Sequence, residues 1–118
     1  MVVDEKLKLL SLTEKVKLIS GESMWRTFPI ERAGIPVLKV SDGPNGVRGD
    51  GGRAAACFPV GICMASTWNT ALIEQVGADI ADEARSKDVQ VVLGPTINIH
   101  RTPLAGRNFE CYSEDPFL

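Results

Sequence analysis

Apolar residues recur at helical intervals at the start of the chain, where Leu7, Leu10, Val16 and Ile19 pattern residues 4–20 as helix. Ser11 and Glu14 have the spacing of a capping box, which predicts two short helices with a break near Ser11. Gly21 is placed to stop the second one. Pro29 and Pro36 then predict an extended loop. Val37, Leu38, Lys39 and Val40 predict a short strand running into SDGPNGVRGDGG, with Asp42 at the strand's C-terminal tip. The connection from Asp42 to Cys57 is short and rich in glycine, too poor in helix formers for a regular parallel crossover. Residues 57–65 therefore read as a reversed strand or an extended loop. The clearest helix spans about 69–86, capped by Asn69 or Thr67. Its apolar face carries Leu72, Ile73, Val76, Ile80 and Ala84, while Glu74, Gln75, Asp82 and Arg85 point elsewhere. Val89, Val91, Val92 and Leu93 predict a strand covered on both faces, ending at Gly94-Pro95. Residues 96–118 are loop-like.

This order of helix, strand, loop, helix, buried strand and loop is α/β logic. It is also incomplete, because so few strands and one amphipathic helix cannot close a sheet or cover both its faces. The chain is therefore expected to be a piece of a larger α/β protein.

Composition narrows the chemistry. The 118 residues are 44% hydrophobic and 24% charged, which excludes disorder through low hydrophobicity. Thirteen Lys+Arg against 15 Asp+Glu leave a net charge of −2, so the basic footprint of a nucleic-acid or anionic-membrane binder is missing. No apolar run approaches the ~20 residues of a membrane helix. The N-terminus interrupts any secretory core with charges, so the expectation is a cytoplasmic chain, or a secreted one if its true N-terminus is missing. Cys57, Cys63 and Cys111 match no zinc spacing, and the single histidine, His100, has no ligand partner nearby. That pattern gives no reason to expect a zinc site. Free thiols are expected rather than a disulfide framework. His100 reads as a packing or loop histidine. The glycines of GVRGDGGR lack the Gly-Lys-Ser/Thr that a P-loop requires.

Two polar clusters follow strand ends: Asp42 with Arg48, and Arg107 with Glu110, Glu114 and Asp115. A carboxylate accepting from two neighbouring hydroxyls, beside an arginine with a planar fork of donors, suits a polyhydroxylated ligand. Each element has a plainer reading. Asp42 before Gly43-Pro44 fits a turn aspartate, Arg107 and Glu110 fit a local ion pair, and Glu114-Asp115 fit a helix N-terminus or a solvated turn. Trp25 and Trp68 fit packing as well as they fit stacking on a sugar.

The blocks LTEKVKLISG (12–21), MWRTFPIERAGIPVLKVSDGPNGVRG (24–49), AACFPVG (55–61), STWN (66–69), VVLGPTINIHRTPLAGRNFE (91–110) and YSEDPFL (112–118) resemble the N-terminal part of glycoside hydrolase family 3. Within it they are most similar to fungal and bacterial β-glucosidases. The resemblance covers nearly the whole chain in order. It implies that residues 1–118 are the N-terminal portion of a (β/α)8 TIM-type barrel, incomplete in this chain, with the rest of the barrel and a second α/β domain absent. By position it implies that Asp42, Arg48 and Arg107 bind the sugar of subsite −1, Asp42 taking its far-edge hydroxyls, and that Glu110 orients Arg107. Three residues depart from the family pattern: Ala105 for glycine, Cys111 for serine and His100 for glutamine. Cys111 and Ala105 bear on the loop that aims Arg107.

The implied activity is hydrolysis of terminal non-reducing β-D-glucosyl residues with retention, through two carboxylates. The nucleophile and the acid/base lie beyond residue 118, so no catalytic residue is assigned within the chain, which alone should lack catalysis. The implied enzyme needs no metal or organic cofactor, and its implied partner is a β-glucoside or cello-oligosaccharide; the charge balance and the short apolar runs point to no nucleic acid and no membrane. A β-xylosidase or β-N-acetylglucosaminidase of the same family is one alternative. A non-catalytic carbohydrate-binding module is another.

Overall fold

A computed structural model describes residues 3–49 and 52–117. Asp50 and Gly51 of the glycine-rich loop, and Leu118 at the end of the last family-like block, lie outside the described residues. The chain divides into two compact units, one ending at Val40 and one beginning at Ser41.

The first unit opens with the two helices that the capping box predicts, α1 (Val3–Leu9) and α2 (Leu12–Ser20). The Ser11 hydroxyl accepts the Glu14 N–H at 3.3 Å, and the Glu14 carboxylate accepts the Ser11 N–H at 2.8 Å. Gly21 ends α2 at φ 75°, its N–H bonded to the Lys17 carbonyl. Arg32 clasps Glu14 from 18 residues away: Nε donates to Oε1 at 2.7 Å and Nη2 to Oε2 and to the Leu9 carbonyl. The Arg32 hydrogen bond, with help from the Ser11 N–H, pulls the Glu14 carboxyl from 4.5 down to about 2. Leu10, Ile30 and Ala33 form the small core, with Leu18 and Ile35 against it. The proline-flanked segment is more ordered than an extended loop. Ile30 and Ile35 exchange both backbone hydrogen bonds around a 3-10 turn at Glu31–Ala33, and Arg26 bridges to Lys39.

The predicted strand lies further along than its apolar run. Regular pairing begins only at Val40, so β1 is Val40–Asp42 and Asp42 is its last residue. It pairs with β2 (Val91–Leu93) in a two-stranded sheet. Val91 and Leu93 are exposed, so β2 is covered on one face and not on two. Val89 in the preceding turn is buried instead, with Val47 and Ala84, and Ile80 and Val92 pack against them.

Residues 57–65 are the second correction. Residues 57–60 form no regular element, with Val60 extended, but Gly61–Ala65 form a helix, α3. The run Gly-Ile-Cys-Met-Ala has no strong local preference, and packing decides it. At Gly61 an added Cβ would lie 2.3 Å from the Glu110 carbonyl oxygen, so only glycine lets α3 abut the turn that carries Glu110. The long helix is α4 (Thr70–Ser86), with Asn69 Oδ1 accepting the Leu72 N–H at 3.0 Å. Residues 96–117 are irregular apart from a 3-10 turn at Asn108–Glu110. Cys57, Cys63 and Cys111 are free thiols, Cys111 buried.

Candidate functional site

All the residues proposed from the strand-end motifs belong to the second unit. Asp42, at the tip of β1, begins a loop that returns on itself. The Arg48 N–H donates to the Asp42 carbonyl at 3.0 Å, and the Arg48 guanidinium reaches Asp42 Oδ2 at 3.5 Å. Ser41, buried, supports the turn from beneath: its Oγ accepts the Gly49 N–H at 2.8 Å. Asp42 is therefore not a turn aspartate satisfied by its own backbone. Its carboxylate is partly exposed and faces a guanidinium.

Arg107 lies at the entrance of the Asn108–Glu110 turn. Its guanidinium meets the Glu110 carboxylate fork to fork, Nε to Oε1 at 2.9 Å and Nη2 to Oε2 at 2.6 Å. Glu110 is 12% exposed and Arg107 79% exposed, so the carboxylate is rooted in the protein while the cation stands at the surface. Thr96 Oγ1, just after β2, adds a hydrogen bond to Glu110 Oε2 at 3.3 Å. The Arg107 hydrogen bond holds the Glu110 carboxyl below its ordinary range. In return Glu110 raises Arg107, and the negative charge of Asp42 raises it further. Asp42 is the lesser of these two influences on Arg107.

Glu114 and Asp115 do not join this group through any hydrogen bond or ion pair among the described residues. Asp115 closes a solvated turn, its N–H bonded to Ser113 Oγ and its Oδ1 accepting the Phe117 N–H, both at 2.9 Å. His100 tethers the loop by its ring, with Nε2 at 2.7 Å from the Asn108 carbonyl. Buried Cys111 sets its Sγ 3.8 Å from the Arg107 carbonyl, under the backbone that aims the guanidinium. Arg107 and Asn108 border an open depression of about 340 Å³. Exposed Trp68 lines a different one, with Asn69 and Tyr112. Trp25 belongs to the first unit. Among the described residues, no three of His, Cys, Asp and Glu are grouped to hold a metal ion.

Two features escaped the sequence reading. Thr96 carries no signal in a loop-like stretch. Glu83 and Lys87 have the i, i+4 spacing of an ordinary surface ion pair on a helix. In the structure both are largely buried beneath the Asp42–Arg48 loop.

Comparison with known proteins identifies the family. Residues 7–118 match the glycosyl hydrolase family 3 N terminal domain. The chain is 51% identical to a beta-glucosidase of Rhizobium radiobacter across 99% of its own length and 15% of that protein's. It is 48% identical to beta-glucosidase B of Emericella nidulans across 98% of its length and 14% of that protein's. The beta-glucosidase of Kluyveromyces marxianus, solved in complex with glucose, superposes with a TM-score of 0.93 at 46% identity, over 98% of this chain and 14% of that one. Beta-glucosidase 3B of Thermotoga neapolitana, also in complex with glucose, superposes at 0.87 with 42% identity, over 98% and 19%. The chain thus spans about one-seventh of the length of the first curated relatives it matches. On the family match and these identities, the chain belongs to glycosyl hydrolase family 3.

Proposed function

We propose that this chain is the sugar-recognition segment of a β-glucosidase. The whole protein would remove terminal non-reducing β-D-glucosyl residues with retention of configuration. Asp42, Arg48 and Arg107 bind the sugar in subsite −1, and Glu110 orients Arg107. Two carboxylates perform retaining glycoside hydrolysis, and both come from outside residues 1–118. The two-stranded sheet is the beginning of a (β/α)8 barrel, in which strand C-terminal ends face the active site. Asp42 at the tip of β1 and Thr96 just after β2 fit that arrangement.

One observation carries the reading. An exposed guanidinium is gripped fork to fork by a largely buried carboxylate, in the same unit as a second, partly exposed carboxylate that faces a guanidinium of its own. A pyranose ring offers neighbouring hydroxyls that both donate and accept. Asp42 accepts from two of them and Arg107 donates to others, each charge-assisted bond contributing roughly 1.5–3 kcal/mol. Such groups lower the barrier where their bonds strengthen in the transition state. The names of the relatives and the glucose in two structural neighbours support the same sugar.

The test is to express the complete reading frame and compare hydrolysis of aryl β-D-glucoside, β-D-xyloside and β-N-acetylglucosaminide, following the anomer released by NMR. Preference for the glucoside with β-glucose as first product is expected. Preference for either other sugar, or no hydrolysis of any, overturns the reading.

A further inference from the structure

The loop between Asp42 and Cys57 is gripped from below by a largely buried ion pair at the C-terminal end of α4, Glu83 in its last turn and Lys87 capping it. Glu83 Oε2 accepts the Val47 N–H at 2.7 Å. Glu83 Oε1 accepts the Ala56 N–H at 2.8 Å and the Lys87 ammonium at 2.9 Å. Lys87 Nζ also donates to the Val47 carbonyl. Both peptide groups of Val47 are thus held by the same pair, and the Val47 side chain is fully buried. The Glu83 and Lys87 side chains are 13% and 5% exposed. The Lys87 stem underlies Gly49, where an added Cβ would lie 3.2 Å from Lys87 Cδ. Gly46, at φ 133°, brings its Cα so near Ala56 that a Cβ would stand 2.0 Å from the Ala56 carbonyl oxygen. The carboxylate therefore pins two loop ends pressed against each other.

A helix-surface ion pair has no need of this arrangement. Burying two charges is costly unless every lone pair and proton is used, and here the spare acceptor capacity goes to loop backbone and not to α4. The residue after Val47 is Arg48, whose N–H closes on the Asp42 carbonyl and whose guanidinium faces the Asp42 carboxylate. We propose that Glu83, with Lys87, is a positioning residue for sugar recognition: it sets where Arg48 stands relative to Asp42 by clamping Val47 and Ala56. This rests on the proposed role of Asp42 and Arg48, which it deepens.

A carboxylate can accept from two N–H groups and an ammonium at once. A glutamine in its place offers one acceptor oxygen and turns an NH₂ toward a donor. In the full-length enzyme Glu83→Gln is expected to lower kcat/KM on an aryl β-glucoside at least about tenfold. Amide exchange at Val47 and Ala56 should quicken by a similar factor while the interior of α4 stays protected. A positioning role also predicts strong coupling. Glu83→Gln combined with Arg48→Met should lose no more than about threefold beyond the worse single variant. Should Glu83→Gln fail to fold, the pair Glu83→Gln/Lys87→Met removes both charges of the clamp and enters the same cycle with Arg48→Met. Losses that multiply, or unchanged exchange at Val47 and Ala56, overturn the inference while leaving the proposed function standing. A wild-type enzyme that hydrolyses no aryl β-glucoside removes the proposed function itself, and with it the role assigned to Glu83.

Discussion

Glu110 grips Arg107 with both carboxylate oxygens, at 2.9 and 2.6 Å, and is itself held by Thr96 and pressed against Gly61 of α3. A side chain with the rotamer freedom of arginine thereby becomes a fixed donor. The free face of the guanidinium remains open to solvent and within the field of Asp42.

Removing that grip should misdirect Arg107 without removing it. Glu110→Gln keeps the shape but replaces one acceptor with a donor. In the complete enzyme, kcat/KM on an aryl β-glucoside is expected to fall roughly ten- to hundredfold, the equivalent of about one charged hydrogen bond. Steady-state kinetics beside an unchanged thermal midpoint is the check. Wild-type kcat/KM would reduce the fork to a local ion pair.

Asp42→Ala deletes the proposed acceptor of two sugar hydroxyls and uncovers Arg48. The expected loss in kcat/KM is about two orders of magnitude or more. The loss should appear partly in kcat, because bonds that tighten in the transition state are removed. A purely KM effect would make Asp42 a uniform binder, and no effect would remove it from the subsite.

Gly61→Ala tests the packing that seats the Glu110 turn. The added methyl meets the Glu110 carbonyl at 2.3 Å, so either α3 or the turn must shift. Overpacking of this kind costs about 1–3 kcal/mol. A lower thermal midpoint together with reduced kcat/KM is expected. A midpoint unchanged from wild type would place α3 away from the turn.

The Glu14–Arg32 clasp sets a pH dependence for the first unit. The Glu14 carboxyl is depressed from 4.5 to about 2 in the folded state. Its contribution is therefore present above pH 4.5 and drains away as pH falls toward 2, where the folded carboxyl also protonates. Amide protection across α2, followed from neutral pH downward, should decline over that window. Arg32→Gln should move the onset of loss upward. A decline that begins only below pH 2, or one that Arg32→Gln leaves in place, would sever Glu14 from the acid response.

What the residues determined alone was local. The Ser11–Glu14 box, the Asn69 cap, the extent of α4 and the position of Asp42 at a strand tip each depend on neighbours within a few positions. The motif blocks were legible for the same reason, since each is a contiguous string of residues. Tertiary structure decided what short-range preference leaves balanced. Residues 61–65 became helix because Gly61 could lie against Glu110. Regular strand pairing began at Val40, with only an isolated bridge at Lys39 before it, although the apolar run starts at Val37. The Glu83–Lys87 pair, identical in spacing to a solvated i, i+4 contact, gained its meaning only when folding set the N–H groups of Val47 and Ala56 above it. A charged pair looks the same in sequence whether water or a backbone amide lies over it, and only the assembled chain selects between the two.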